Sequence, residues 1–380
     1  MKMNIVAVIR LLSIAILILG LTGCNSRSDR SAENRTTQDG NKTAKQQGDA
    51  VSQANLGMKY FRGEGVAQNY AEAAKYFRKA AEQGEPSVLT LLGLMYLKGQ
   101  GVPQDYVEAA KWLRKAADQS DADAVVFFNL GQMYDNGEGV AQDRAEAAKW
   151  YRKAADKGDA DAQFNLGMMR AKGDGVAQDY TEAVKWFRKA AEQGATGAQS
   201  VLGMMYLRGE GVVQNYAEAA KLFRSAADQG GADATILFNL GQMYYHGAGV
   251  ALNYAEAAKW YRKAADQGSA EAQFNLGLMY AKGEGVRRDY AEAVKLYRKA
   301  AEQGDPDAQV NLGKMYYDGA GVTRDYVQSY MWFNLSTGSL KDKKRDAIAV
   351  LRDTVAKKMT PEQIAEAQWL SQVWKPKPGT

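Results

Sequence analysis

The chain holds one cysteine, Cys24, and one histidine, His246, in 380 residues. A lone cysteine excludes disulfide pairs. A lone histidine leaves little for acid–base catalysis, which needs convergent groups of tuned acidity. His246 stands just before a Gly-x-Gly turn, where equivalent positions carry Arg62, Lys98, Asn136, Lys172, Arg208, Lys282 and Asp318, the pattern of a solvent-exposed site. No Ser-x-x-Lys motif occurs, which removes one common nucleophile arrangement. Charge of one sign is also missing. The 49 Lys and Arg residues interleave with 44 Asp and Glu residues, for a formal net charge of +5, so no basic stripe follows a nucleic-acid backbone and nucleic acid is not an expected partner. Asp159 and Asp161 resemble the start of a calcium loop, but the twelfth position is Arg170 rather than glutamate. No catalytic residue, metal or cofactor is expected.

What is present begins with MKMNIVAVIRLLSIAILILGLTGC: a basic start, an apolar stretch from Leu11 to Leu21, and small residues before Cys24. This is the layout of an export signal, and the apolar run is short for a spanning helix, which needs roughly 20 apolar residues. Leu21-Thr22-Gly23-Cys24 resembles a bacterial lipobox, which implies cleavage after residue 23 and acyl chains on Cys24. Asn25 follows the cysteine in place of the aspartate associated with inner-membrane retention, so an outer-membrane lipoprotein facing the periplasm is expected. Residues 25–49 carry only Ala32 and Ala44 as apolar side chains, so 24–48 read as the lipidated cysteine and a disordered tether.

From residue 49 the text repeats. The phrase GEGVAQD at 137–143 suggests a phosphate-binding loop, because a Gly-rich turn feeding a helix N-terminus can cradle an anion. Its recurrence argues otherwise. Equivalent turns open at Gly63, Gly99, Gly137, Gly173, Gly209, Gly247, Gly283 and Gly319, spaced by 36 or 38 residues, and Glu64, Glu138, Asp174, Glu210 and Glu284 would repel phosphate. The turns are structural, with positive φ expected at one glycine or both.

Three residues after the valine of each Gly-x-Gly-Val comes Asn or Asp (Asn69, Asp105, Asp143, Asp179, Asn215, Asn253, Asp289, Asp325), and three further on comes Glu or, once, Gln328. That spacing predicts an N-cap with a reciprocal capping box. The helix so started carries a stripe such as Ala147, Ala148, Trp150, Tyr151, Ala154 and Ala155, and closes at a glycine such as Gly158. A second helix precedes each turn, as in AQFNLGMMRAKG at 162–173, with Ala162, Leu166 and Met169 on its buried face. Leu-Gly recurs in every copy. A glycine in mid-helix costs about 1 kcal/mol against alanine, so its repetition predicts a close helix–helix approach. Trp112, Trp150, Trp186, Trp260 and Trp332 fall at core spacing.

This pattern over 49–340 resembles the Sel1-like repeat, a relative of the tetratricopeptide repeat. The resemblance implies an all-α fold: a right-handed α-solenoid of eight helix-turn-helix repeats with a concave binding face. YMWFNLSTGS at 330–339 and MTPEQIAEAQWL at 359–370 resemble the helices that close such arrays, giving a C-terminal helical cap and tail over 341–380; Thr360 caps, Pro361 suits the first turn and Gln363 completes a capping box. Lys59 replaces the methionine of the later copies, as an uncovered first repeat requires. TAKQQG at 43–48 echoes KAAEQG and suggests an eroded earlier repeat. The two 38-residue spacings lie 110 residues apart with copied flanking text, which marks a duplicated three-repeat block. Some cysteine-rich members of the family have been linked to β-lactam binding or hydrolysis, but this chain lacks their cysteine pairs.

Two sets of residues are candidates for binding. Asn55, Asn129, Asn165, Asn239, Asn275 and Asn311 share the position before the repeated leucine, about 100° around the helix from its buried face, and form a ladder suited to gripping an extended partner or to bridging neighbouring helices. Arg144 and Arg170 replace tyrosines in consecutive copies and are expected to be neighbours joined by Asp143, Asp174, Asp179 or a partner's anion. The expected function is a lipid-anchored scaffold for envelope proteins or peptides. Peptidoglycan or polysaccharide binding is the alternative, and a β-lactamase-like hydrolase is disfavoured.

Overall fold

A computed structural model describes residues 39–339 and 341–377. Cys24, the signal segment and residues 25–38 of the tether lie outside the described residues. The described residues form eighteen α-helices, one short 3-10 turn at Pro86–Val88 and no strand. Each repeat is a pair, a first helix A and a second helix B. The A helices are α1 (Asp39–Arg62), α3 (Leu89–Lys98), α5 (Ala124–Asn136), α7 (Ala160–Lys172), α9 (Thr196–Arg208), α11 (Ala234–His246), α13 (Ala270–Lys282) and α15 (Pro306–Asp318). The B helices are α2 (Tyr70–Glu82), α4 (Tyr106–Ala117), α6 (Arg144–Asp156), α8 (Tyr180–Glu192), α10 (Tyr216–Asp228), α12 (Tyr254–Asp266), α14 (Tyr290–Glu302) and α16 (Tyr326–Ser339). Each A packs on its own B and each B on the next A, the one-dimensional stacking of an α-solenoid. The cap consists of α17 (Asp342–Ala356) and α18 (Pro361–Val373), both packed on α16.

Every expected N-cap forms, with the Asn or Asp side chain accepting the N3 backbone N–H at 2.9–3.1 Å. The reciprocal glutamate bond expected at these caps is replaced by another arrangement. The cap N–H is already donated to a carbonyl nine residues upstream, as Asp143 to Tyr134 at 2.9 Å and Asp289 to Tyr280 at 3.0 Å, a bond that ties A to B. The glutamate therefore turns to the lysine three residues on, as in Glu146–Lys149 at 2.7 Å and Glu292–Lys295 at 3.0 Å. The full box is made at Thr360 and Gln363.

The repeated glycines do three different jobs. Mid-helix Gly57, Gly131, Gly167, Gly203, Gly241, Gly277 and Gly313 leave room for a ring from their own B helix; a Cβ would lie 2.5–2.9 Å from Phe77, Tyr151, Phe187, Phe223, Tyr261, Tyr297 or Phe333. Gly93 does the same for Leu113. The first glycine of each turn closes helix A in the left-handed region, as Gly137 at φ 74°. The second, such as Gly139 at φ 69°, seats the turn directly on the Tyr106 peptide at the start of the preceding B helix. Gly65, in the first repeat, has nothing within 4 Å, because no repeat precedes it.

Two sequence expectations at the N-terminus need correction. Helix α1 begins at Asp39, so the last ten residues of the expected tether are helical. Ala44, Lys45, Gln46 and Gln47 are strong helix formers, and extending a helix already docked on α2 requires no new nucleation. Residues 43–48 are not the end of an eroded B helix, since α1 runs through Gly48 without the positive φ seen at Gly84 or Gly158. Lys59 is exposed, while Met95 and its six counterparts are buried. The extra residues of the two longer spacings lie in the loops 118–123 and 229–233 between repeats.

Candidate interaction surface

The asparagine column lies along the A helices, half-buried apart from exposed Asn55. Its amides are partly engaged within the fold. Asn129, Asn275 and Asn311 donate to the carbonyl four residues back (Val125, Glu271 and Asp307) at 2.6–2.8 Å. Asn165 bonds to the Tyr151 hydroxyl, and burial followed by the charge of Asp135 pushes that hydroxyl's pKa up against the pull of Asn165. Asn239 reaches across to Met204 Sδ in the preceding A helix at 3.5 Å. Six of the eight repeats thus present a similar amide, held by its own helix at Asn129, Asn275 and Asn311 and by a neighbouring one at Asn165 and Asn239.

Arg144 and Arg170 do not share an acid. Arg144 approaches Asp135 at 3.7 Å and Asp174 at 3.6 Å, whereas Arg170 pairs with Glu182 at 3.0 Å. The guanidinium facing Arg170 is that of Arg152, two helical turns beyond Arg144 on α6, and Glu182 bridges the two, with Arg152 at 2.7 Å. Arg152 also lies 4.9 Å from the Trp186 ring, at the edge of a depression of about 490 Å³ that includes Lys189. Burial raises the pKa of Glu182, but hydrogen bonds from Arg152 and Trp186 and the charge of Arg170 outweigh it, so the carboxyl stays below the usual glutamate value.

That bridge is one variation in a ladder the sequence reading missed. An arginine of each B helix meets a tyrosine of the next A helix: Arg188–Tyr206 at 2.8 Å, Arg298–Tyr316 at 2.7 Å, and likewise Arg114–Tyr134 and Arg262–Tyr280. Arg78 and Arg224 lie over the rings of Tyr96 and Tyr244. At position 170 the tyrosine is replaced by arginine, and Glu182 compensates. Also missed were the buried glutamines. Gln163 donates to the Ala155 carbonyl at 3.1 Å and accepts from Gln193 at 2.9 Å, and the set recurs with Gln273, Ala265 and Gln303. The recurrence of Ala-Gln in A and Gln-Gly after B was the available signal.

Among the described residues no group of three or more His, Cys, Asp or Glu side chains converges as a metal site, and no helix is long and apolar enough to cross a membrane. His246 is exposed, with its ring 5.1 Å from Tyr245.

The Sel1 repeat model matches eight segments between residues 50 and 337, among them 128–159, 160–194 and 270–305. A Sel1 repeat protein from Oxalobacter formigenes is similar over 94% of this chain and 99% of its own, at 29% identity and a TM-score of 0.55. An SLR-fold protein, c5321, described as a protective antigen present in uropathogenic Escherichia coli strains, is 32% identical over 88% of this chain and 93% of its own, with a TM-score of 0.49. No curated protein matches significantly. With eight matched repeats stacked as eight helix pairs, the chain belongs to the Sel1 repeat family.

Proposed function

We propose that this Sel1 repeat solenoid is a lipid-anchored scaffold of the bacterial cell envelope, held at the outer membrane through Cys24 and organising partner proteins along its helical surface. The single observation carrying the binding role is repetition with local variation. Six of the eight repeats set the same amide, and six junctions the same arginine–tyrosine pair, at one period, while positions such as Arg170 and Leu252 differ between repeats. A surface of this kind matches an extended partner at several points, and each local change adds selectivity. The lipobox, the short tether and the solenoid together support the envelope assignment. Crosslinking mass spectrometry on the membrane-anchored protein tests the reading. Defined protein partners joined to A or B helix residues are expected; crosslinks confined to glycan strands, or none above background, would overturn it.

A further inference from the structure

The second glycines seat each Gly-x-Gly-Val turn on the preceding repeat: Gly249 on the Tyr216 peptide, Gly285 on that of Tyr254 and Gly321 on that of Tyr290. The turns therefore form one continuous edge. Along most of it, the residue before the cap is a glutamine whose side chain folds back onto a carbonyl seven residues upstream, as Gln68 to Phe61, Gln142 to Asp135 and Gln214 to Leu207 at 2.7–2.9 Å. The last three repeats abandon this staple, placing Leu252, Arg288 and Arg324 at that position, and Arg287 precedes Arg288.

Side chains along this stretch of the edge point outward. Val213 and Leu252 are 86% and 56% exposed, and Arg287, Arg288 and Arg324 are exposed as well. Among the described residues no carboxylate lies within ion-pairing distance of these three arginines; Arg288 instead lies over the Tyr290 ring. Lys358 stands over the Tyr317 and Tyr326 rings, close enough to feel the charge of Arg324. Of the nearby acids, Glu284 is taken by Tyr245 and Lys282 and Glu210 by Arg208, while Asp289 and Asp325 accept helix N–H groups and keep their charge, so that with Asp318 they stand among the four cations Arg287, Arg288, Arg324 and Lys358.

We propose that this edge, from Val213 to Lys358, docks on an anionic lipid surface. Two aliphatic tips followed by unpaired guanidinium groups along a line of turns, with Arg287 and Arg288 at an open depression of about 720 Å³, fit a plane of phosphate headgroups over its acyl boundary. The inference does not depend on acylation at Cys24; where the anchor is present, the edge fixes which side of the solenoid lies on the membrane.

Because Cys24 is the chain's one cysteine, the full chain carrying Cys24→Ser and Leu252→Cys takes an environment-sensitive fluorophore at a single place. The label is read on phosphatidylcholine vesicles with and without about one third phosphatidylglycerol, at low salt and at about 0.5 M salt. A blue shift on the anionic vesicles alone is expected, lost in high salt and lost with Arg287→Glu, Arg288→Glu and Arg324→Glu together. The same label at Lys157→Cys, on the opposite edge, is expected to stay unshifted. Equal shifts on neutral vesicles, or at residue 157, would overturn the proposal. So would a shift produced by polyglutamate and not by vesicles, which would assign the edge to an acidic polypeptide.

Discussion

The turn glycines allow a controlled test of how the repeats are held together. Gly65 and Gly139 occupy the same turn position at nearly the same φ, 72° and 69°. Alanine at either meets the left-handed penalty, about 1–2 kcal/mol. The surroundings differ. At Gly65 an added Cβ meets nothing within 4 Å, whereas at Gly139 it falls onto the carbonyl of Tyr106, between two backbones that cannot rotate away. Relieving that overlap means parting the second and third repeats, and overpacking of this kind costs about 1–3 kcal/mol more. Gly139→Ala is therefore expected to destabilise by about 2–5 kcal/mol and Gly65→Ala by about 1–2 kcal/mol. Because a repeat array can open locally, urea unfolding should be paired with amide hydrogen exchange, in which Gly139→Ala speeds exchange in α4 and α5 while Gly65→Ala affects α1 and α2 alone. Equal losses in the two variants, or unchanged exchange around Tyr106, would refute the stacking argument.

Gly167→Ala should destabilise by about 1–3 kcal/mol despite alanine's higher helix propensity, because the methyl group meets the Phe187 ring; adding Phe187→Leu should recover part of the loss in chemical denaturation. Glu182→Gln should cost about 1–2 kcal/mol at neutral pH by leaving Arg152 and Arg170 facing each other without a counter-charge. Since the Glu182 pKa is lowered by folding, its contribution is present above the ordinary glutamate value and lost as pH falls through the lower folded value, so the gap between wild type and variant should close in urea titrations as the pH is taken below the ordinary glutamate value. Cys24→Ala should move the protein out of the membrane fraction or leave its signal uncleaved, and normal processing with membrane retention in cell fractionation would contradict the lipobox reading.

Interactions confined to one repeat are legible in the chain alone. A cap side chain bonds a backbone N–H three residues away, a left-handed glycine closes its own helix, and a buried stripe follows from helical pitch, so Asp143, Gly137 and Leu166 could be assigned from the text alone. The period then fixed the number of units. The tertiary structure decided everything that crosses between units. Arg170 was paired with the wrong arginine because the offset between α6 and α7 determines whether residue 144 or residue 152 faces it, and no local rule supplies that offset. The capping glutamates lost their expected bond because a carbonyl nine residues back had taken the donor. From the second repeat onward, the second glycine of each turn is distinguished from the first by the preceding repeat lying against it. Short-range hydrogen bonds and backbone sterics are encoded by neighbours in the chain, whereas stacking geometry arises only when the repeats meet.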